Sequence, residues 1–255
     1  MLEMKTIPLR NRSIKLGLQT FHRVPLEAPF ERARQLGFDS VDVFFDKVEG
    51  HGFYPDDILP PTRDKIKRAG LDISVHAPIV DFGSGSWTRT IEKTILFCMD
   101  TNSRIMTMHP PIKEPRKVFL DLVRICAPFA QSTTFSFENT ADLEGPKALN
   151  AFVSDFSDYT GQKSGITFDT GHANFNPMGP AAFLRKISRP VHLLHLHDNN
   201  GLSDAHLSPG NGNINFAEVF QVLEDIEFDG KGILEYWRPD EFERDAVFLL
   251  NAGIS

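Results

Sequence analysis

The feature that most constrains the fold is a regular alternation of short apolar runs and longer amphipathic segments from one end of the chain to the other. Each short run is bounded by turn residues and is rich in β-branched and aromatic side chains, as is typical of buried strands. The eight strands predicted in this way are residues 14–20, 40–45, 71–77, 104–110, 133–139, 165–171, 191–198 and 232–237.

Segments with helical spacing lie between these runs, for example residues 29–37, 62–70, 88–100, 116–130 and 216–226. A strand followed by a helix, repeated eight times, is the pattern of a closed parallel barrel. The alternative is an open doubly wound sheet, but no strand is followed by the GxGxxG of a dinucleotide-binding turn. We therefore predict an α/β protein with a single (β/α)8 TIM barrel, forming one domain over residues 1–255.

The composition is that of an ordinary globular chain, since 41% of its 255 residues are hydrophobic and 24% are charged. No apolar run approaches the roughly 20 residues of a membrane-spanning helix, and the first residues lack the apolar core of a signal peptide. Cys98 and Cys126 lie far apart and suggest no disulfide framework. We predict a cytoplasmic protein without a membrane partner, and the net charge of −7 argues against a nucleic-acid partner.

Side-chain alternation places a set of polar residues inside the predicted barrel. In residues 133–139, Phe135 and Phe137 are expected to pack under helices, which turns Glu138 towards the barrel axis. The same argument, applied to the other strands, turns inward His76, His109, Glu138, Asp169, His195, His197 and Glu235. All of them fall at the C-terminal ends of strands, which is the face that carries the active site in barrel enzymes.

The seventh predicted strand contains three histidines in the run VHLLHLHDNN, residues 191–200. Alternation puts His195 and His197 on the inward face and His192 on the helix-facing side. For His192 the structural interpretation is preferred, a packing histidine with a hydrogen-bond partner.

Several buried carboxylates in one place are costly unless cations neutralise them, and imidazoles beside carboxylates suggest a divalent metal. A purely structural polar cluster is the alternative. In TFDTGHAN, Asp169 and His172 lie on either side of a glycine turn and can reach one centre. Asp204 and His206 are two residues apart after the seventh strand, where they either join the same centre or belong to a surface loop.

These motifs resemble those of the xylose-isomerase-like TIM barrel superfamily, and the resemblance covers nearly the whole chain. The superfamily includes sugar isomerases and epimerases, dehydratases and the apurinic endonuclease IV family. The motifs, in chain order, are HAP (76–78), HP (109–110), ENT (138–140), DTGH (169–172), HLHD (195–198), DAH (204–206), PGNG (209–212) and LE (234–235).

The resemblance to the sugar epimerases implies a metal held by Glu138, Asp169, one histidine of HLH and Glu235. That histidine is His197 by analogy with the epimerases and His195 by analogy with endonuclease IV, and both remain candidates. The endonuclease pattern adds further ligands, which correspond here to His76, His109, His172, Asp204 and His206. One to three divalent ions are therefore expected. Carboxylates favour Mn²⁺ or Mg²⁺, whereas the added imidazoles favour Zn²⁺.

The function that this resemblance implies is a metal-dependent isomerase or epimerase of a small sugar, sugar phosphate or hydroxy-ketone. Glu138 and Glu235 are the expected acid and base, and His172 is expected to orient a substrate oxygen. His22, Phe44 and Trp237 are candidate substrate-binding residues, with rim packing or a surface position as the alternative.

Two other enzymatic functions remain as alternatives, an endonuclease IV-like phosphodiesterase acting at abasic sites in DNA and a dehydratase of the same superfamily. The acidic loop DKVEGHGFYPDD after the second strand, with Asp46, Glu49, Asp56 and Asp57, is expected to repel a phosphate backbone. A non-catalytic metal-binding or sugar-binding protein is disfavoured by the intact carboxylates. The expected partners are a small carbohydrate and, as an open alternative, other copies of the chain in a homo-oligomer.

Overall fold

A closed barrel of eight parallel strands forms the centre of the computed structural model, which describes residues 14–49, 51–143 and 145–253. Within those residues the strands follow the order β1-β10-β9-β8-β7-β6-β5-β2 around the barrel, and β3 pairs with β4 in a separate antiparallel hairpin. The strands are β1 (Lys15–Gln19), β2 (Ser40–Phe44), β3 (Asp46–Val48), β4 (His51–Phe53), β5 (Asp72–His76), β6 (Ile105–Met108), β7 (Thr134–Glu138), β8 (Gly165–Asp169), β9 (Val191–Leu196) and β10 (Lys231–Leu234).

Helices connect successive strands and form the outer layer of the molecule. All five segments predicted from helical spacing overlap a helix, with ends that differ by a few residues, and the remaining helices complete the barrel. Their bounds are α1 (Glu27–Leu36), α2 (Pro60–Lys67), α3 (Trp87–Thr101), α4 (Arg116–Cys126), α5 (Pro146–Thr160), α6 (Thr170–Ala173), α7 (Pro180–Arg185), α8 (Phe216–Asp225) and α9 (Phe242–Asn251).

The prediction of a (β/α)8 barrel is confirmed. Each of the eight predicted strands coincides with one barrel strand, and the strands in the structure are shorter than predicted. Seven of them lie entirely within the predicted range, and β10 begins one residue before it. His109, His197 and Glu235 consequently lie just past the ends of β6, β9 and β10. The prediction that residues 1–255 form one domain stays a prediction, and residues 1–13 lie outside the described part of the chain.

The apolar core lies between the barrel wall and the helices. Phe137 on β7 is fully buried, and its ring meets those of Phe152 and Phe156 on α5 edge-on, with centroids 4.8 Å apart in both pairs. Phe135 lies on the same outward face of β7. Since these phenylalanines occupy the outward face, Ser136 and Glu138 have to point into the barrel.

The middle of the barrel interior is a layer of hydroxyl groups that satisfy one another. Thr107 and Thr167 are joined by a hydrogen bond of 2.8 Å, and the Thr167 hydroxyl donates to the Ser136 hydroxyl at 2.8 Å. On the other side of the interior, the Ser74 hydroxyl donates to Asp42 at 2.5 Å. These polar side chains are fully buried and bonded, as interior polar groups generally are.

The segment after β2 differs from its prediction as an acidic, phosphate-repelling loop. It contains the β3–β4 hairpin, and its carboxylates are paired with cationic or imidazole side chains. The four pairs are Asp46 with His22, Glu49 with Arg23, Asp56 with Lys93, and Asp57 with Lys47. These pairs remove much of the local negative charge, which leaves the net charge of the chain as the argument against DNA binding. No helix in the described ranges combines the length and the apolar character needed to cross a bilayer.

Candidate active site and metal centre

Four buried residues form the centre of a cluster at the C-terminal mouth of the barrel. Glu138, Asp169, His195 and Glu235 each offer a ligand atom, and these atoms all lie within 4.8 Å of one another. His195 Nδ1 is 3.4 Å from Glu235 Oε2, 3.5 Å from Glu138 Oε2 and 3.9 Å from Asp169 Oδ2. The inward positions predicted for these four side chains are therefore confirmed by the geometry.

A second group shares Glu138 with the first. His76 Nε2 is 2.8 Å from Glu138 Oε2, and His109 Nε2 is 3.6 Å from the same oxygen. The other ring nitrogen of His76, Nδ1, is 2.8 Å from the backbone oxygen of Ala77. A proton on Nδ1 would satisfy that oxygen and leave the Nε2 lone pair directed at the cluster. His76, His109 and Glu138 meet the geometric requirement for holding a metal ion.

His172, Asp204 and His206 meet on the other side of Glu138. Asp204 Oδ2 is 3.4 Å from His172 Nε2 and 3.2 Å from His206 Nε2. His172 Nδ1 is also 2.9 Å from Glu138 Oε1, so Glu138 contacts both flanking groups. Asp204 is exposed in its loop. Its carboxylate nevertheless contacts two histidines of the cluster.

The two histidines of HLH occupy different places in the cluster. His195 belongs to the central group of four, whereas His197 forms a group with His206 and Glu235. His197 Nε2 is 3.1 Å from both oxygens of Asp169, and its ring stacks on that of His206 with centroids 4.0 Å apart. A Cβ on Gly171 would overlap the His197 ring, which explains the glycine in DTGH.

Several buried polar atoms of the cluster have no hydrogen-bond partner among the described residues. They are both ring nitrogens of His195, Nδ1 of His172, Nδ1 of His197 and Oε2 of Glu235. An unpaired buried polar atom is costly, so several of them in one cluster require an explanation. A divalent ion would satisfy several at once, and imidazole nitrogens with carboxylate oxygens are suitable ligands. These residues could therefore bind a metal.

The cluster is also electrostatically coupled. Burial acts to raise the pKa of Glu138, but the charge on His195 and the neighbouring imidazoles of His109 and His172 outweigh it and hold that pKa well below its usual range. Burial likewise acts on Asp169, and the charges on His172 and His197 leave its pKa lowered. For Glu235 burial dominates and the pKa is raised.

The imidazoles of the cluster attract protons. Burial acts to lower the pKa of His195, but the carboxylates of Glu235 and Glu138 raise it to about 10. For His206 the hydrogen bond to Asp204 overcomes burial and raises the pKa to about 9. The carboxylates of the site therefore favour positive charge beside them, and a divalent cation could supply that charge in place of the histidine protons.

The candidate substrate-binding residues lie around the mouth. The Phe44 ring meets the His76 ring edge-on at 4.6 Å, so Phe44 borders the cluster. Trp237 packs against Phe242, with ring centroids 5.7 Å apart, and His22 pairs with Asp46 at 3.2 Å. Contact of these three side chains with a substrate stays a prediction.

A cavity of about 270 Å³ opens beside His109, between the loops that follow β5, β6 and β7. Its wall is largely apolar, and Lys113, the cation in that wall, is paired with Asp142 at 2.8 Å. A small molecule bound at the cluster could extend into this space.

Three polar residues that support the cluster were not singled out by the sequence. The Gln19 amide donates to Glu235 at 2.9 Å, and the Asn139 amide donates to the backbone oxygen of Asp169 at 2.9 Å. The Asp198 carboxylate accepts backbone N–H bonds from residues 210, 212 and 214, which holds the loop that follows Asp204 and His206. The available signal was their position, since each lies at the end of a barrel strand or within two residues of it.

Known proteins resemble this chain in sequence and in fold. An uncharacterised protein of Methanocaldococcus jannaschii is 28% identical over 282 residues, which cover 95% of this chain and 92% of that protein. The crystal structure of a D-tagatose 3-epimerase-like protein has a TM-score of 0.74 at 24% identity, covering 94% of this chain and 97% of that one.

Two further crystal structures show the same fold at lower identity. A D-psicose 3-epimerase studied in the presence of D-fructose has a TM-score of 0.63 at 16% identity, covering 88% of this chain and 85% of that one. A probable 3-DHS dehydratase from Bacillus anthracis has a TM-score of 0.69 at 14% identity, covering 93% and 99%. A family model described as xylose isomerase-like TIM barrel matches residues 30–252, and this chain therefore belongs to that family.

Proposed function

We propose that the protein is a divalent-metal-dependent isomerase or epimerase of a small sugar, sugar phosphate or hydroxy-ketone. The observation that carries the proposal is the placement of Glu138 and Glu235 around one centre. They come from β7 and from the end of β10, which are separated by β8 and β9 in the barrel. Their carboxylate oxygens are 3.5 and 3.4 Å from the same His195 nitrogen.

The central ligands in this proposal are Glu138, Asp169, His195 and Glu235, with His197 hydrogen-bonded to Asp169. His76, His109, His172, Asp204 and His206 are the candidates for holding a second or third ion. Mn²⁺, Zn²⁺ and Mg²⁺ are the candidate ions. When bound, the metal would supply Lewis-acid stabilisation for the negative charge that develops on the substrate oxygens.

The two glutamates would move the proton. One carboxylate would remove the proton beside the substrate carbonyl, and the electron pair of the broken C–H bond would pass to the carbonyl oxygen. The other carboxylate would return a proton to the opposite face of that carbon, which gives epimerisation. For isomerisation the proton would go to the former carbonyl carbon, while the neighbouring hydroxyl passes its own proton to the former carbonyl oxygen and becomes the new carbonyl. His172, which contacts Glu138 at 2.9 Å, would orient a substrate oxygen. The flanking cavity and the half-buried Phe44 and Trp237 would hold the rest of the sugar.

Deuterium exchange tests the proposal directly. Metal-free protein is reconstituted with Mn²⁺, Zn²⁺ or Mg²⁺ and incubated in deuterated water with a panel of ketoses and hydroxypyruvate, followed by proton NMR. The expected result is metal-dependent loss of the proton signal beside the carbonyl. Thr107→Val, in the hydroxyl layer, should retain exchange, whereas Glu138→Gln should not. Metal-independent exchange, or none with any substrate of these classes, would count against the proposal.

A second candidate is an endonuclease IV-like phosphodiesterase, and the size of the cluster favours it. Two-glutamate proton transfer uses the central four residues, whereas the cluster also contains His76, His109, His172, Asp204 and His206. The net charge of −7 opposes strong DNA binding. We expect weak, salt-sensitive DNA binding and no efficient cleavage of an abasic-site duplex. Incision at low enzyme concentration that disappears in Glu138→Gln would instead support this candidate.

A dehydratase of the same family would share the first proton abstraction and then expel a neighbouring hydroxyl as water. Its signature in the same NMR experiment is an unsaturated product.

We also propose that the protein is cytoplasmic. The described cysteines, Cys98 and Cys126, are buried free thiols, which supports this location.

A further inference from the structure

The two carboxylate oxygens of Glu235 have different environments. Oε1 accepts a hydrogen bond of 2.9 Å from the side-chain amide of Gln19. Oε2 is buried without a hydrogen-bond partner in the described chain, 3.4 Å from His195 Nδ1 and 3.9 Å from His197 Nε2. Gln19 therefore occupies the oxygen that faces away from the cluster and leaves the other oxygen directed into it.

The Gln19 amide also contacts a second buried carboxylate. Its nitrogen is 3.4 Å from Asp42 Oδ2, and Asp42 Oδ1 accepts the Ser74 hydroxyl at 2.5 Å. Asp42 Oδ2 is in turn 4.0 Å from His195 Nε2, the nitrogen on the side of the ring away from Glu138 and Glu235. These side chains are at most 1% exposed, so bulk water does not screen the contacts between them.

We propose that Gln19 and Asp42 are positioning residues that prepare Glu235 and His195 to bind the metal. Gln19 would fix the orientation of the Glu235 carboxylate, and Asp42 would face the N–H of His195 when Nδ1 is the ligand. Partners of this kind orient metal ligands, and an acceptor that faces the N–H of a ligating histidine also makes that histidine more basic. Losing such a partner commonly weakens metal affinity 10–100-fold. The inference rests on the proposed function, because it assumes that this cluster holds the ion.

The chemistry of residue 19 supports this role over a merely structural one. A side-chain amide donates to both Glu235 and Asp42 without adding charge. A carboxylate there would repel both, and an apolar side chain would leave Glu235 Oε1 unpaired and buried. Gln19 and Asp42 also pair directly in the register of β1 and β2, so the barrel itself sets their separation.

Cobalt binding tests the proposal without any substrate. Metal-free wild type, Gln19→Met and Asp42→Asn are titrated with Co²⁺, and the dissociation constant and the visible absorption spectrum are recorded. Gln19→Met is expected to raise the dissociation constant about tenfold or more and to change the spectrum, because Glu235 is free to change its mode of coordination. Asp42→Asn, which keeps the shape but removes the charge facing His195, is expected to weaken binding by a smaller factor.

Thr107→Val is the matched control, because Thr107 is also a buried interior side chain, and within the described part of the chain its hydroxyl bonds to the Thr167 hydroxyl and not to the cluster. It should keep the wild-type cobalt affinity and spectrum. If Gln19→Met and Asp42→Asn also keep both, the positioning role is wrong while the proposed metal site stands. If Gln19→Met does not fold, Asp42→Asn decides alone. If wild type itself takes up no cobalt, both the proposed function and this inference are wrong.

Discussion

The barrel interior contains two polar layers built on the same strands, and they differ in how their hydrogen bonds are satisfied. In the middle layer, Thr107, Thr167 and Ser136 bond to one another in a closed set. At the mouth, His195 and Glu235 are also buried but keep polar atoms without hydrogen-bond partners among the described residues. Burial and polarity alone therefore do not distinguish the two layers, whereas the concentration of unpaired polar atoms at the mouth does.

The difference has an electrostatic consequence. The hydroxyls of the middle layer are neutral and need nothing beyond each other. Among the described residues, the carboxylates of the mouth are neutralised by imidazoles, and the pKa of His195 is raised to about 10 as a result. Because its carboxylates attract cations, the mouth layer is expected to be stabilised by a bound metal ion. The middle layer is not expected to be stabilised in this way.

Metal removal should have the largest effect. A ligand that binds only the folded state at a free concentration near 1,000 times its dissociation constant contributes about 4 kcal/mol. For a chain of this size we expect chelation to lower the melting temperature by roughly 10 °C. Differential scanning calorimetry with and without chelator, followed by metal repletion, measures this. Elemental analysis would first establish that the protein contains metal. If chelation then leaves its melting temperature unchanged, the proposed difference between the two layers is wrong.

Replacing the glutamates should have the next largest effect. Glu138→Gln and Glu235→Gln keep the shape and one coordinating oxygen but remove the basic carboxylate, so turnover should fall by about a hundredfold or more. Metal content, measured on the same samples, should remain appreciable. Asp169→Asn is the matched variant, and its loss of activity should come from weaker metal affinity and be partly rescued by excess Mn²⁺. Wild-type exchange rates in both glutamine variants would rule out the two-glutamate mechanism.

Local alternation was enough to predict most of the mouth. Because Phe135 and Phe137 had to face the helices, Glu138 had to face the axis, and the same reasoning located His195 beneath the mouth. The orientation of an imidazole ring was not predictable in this way. The ring of His206, for example, is oriented by a hydrogen bond between its Nδ1 and the backbone oxygen of Glu235, 29 residues away. The role of Asp198 was also hidden, since it depends on backbone N–H groups of a later loop. Contacts between distant segments are absent from any local pattern.

The outer loops illustrate the same limit. Asp46, Glu49, Asp56 and Asp57 form an acidic stretch in sequence, but three of their four partners come from other segments, such as Arg23 before α1 and Lys93 on α3. Charge in a short window therefore overestimated the local potential.

The middle layer can be tested by removing one hydroxyl. Thr167→Val deletes the group that joins Thr107 to Ser136 and leaves both without that bond. A buried polar group that loses its partner costs about 1–3 kcal/mol, so the free energy of unfolding should fall by that amount. Urea denaturation measures the change, and metal affinity should stay at the wild-type value. A parallel loss of metal affinity would show that the two layers are coupled.

The smallest effect concerns His192, which lies on β9 three residues before His195. The pairing of β9 with β8 shifts register at this point, and the His192 ring lies against Gly165, which pairs with the inward-facing Ser136, so the helix-facing position predicted from alternation does not hold. The Nδ1 of His192 has no hydrogen-bond partner in the described part of the chain, contrary to the prediction of a hydrogen-bonded packing histidine. Burial lowers the pKa of His192, whereas the carboxylates of Glu235 and Glu138 raise the pKa of His195. One strand therefore carries histidines with opposite responses to acid.

The sign of the His192 effect follows from proton linkage. Because its folded pKa is below the unfolded value, the unfolded chain binds more protons, and stability is lost as the pH falls from about 6.5 through the folded pKa. His192→Phe should therefore lose less stability than wild type between pH 7.5 and 5.5, as measured by urea denaturation at both values. His51→Gln, which removes an exposed histidine from β4, is the control and should lose as much as wild type. A larger acid loss in His192→Phe than in wild type would mean that His192 gains a proton more readily in the folded state, as His195 does, and the contrast between these two histidines of β9 would fail.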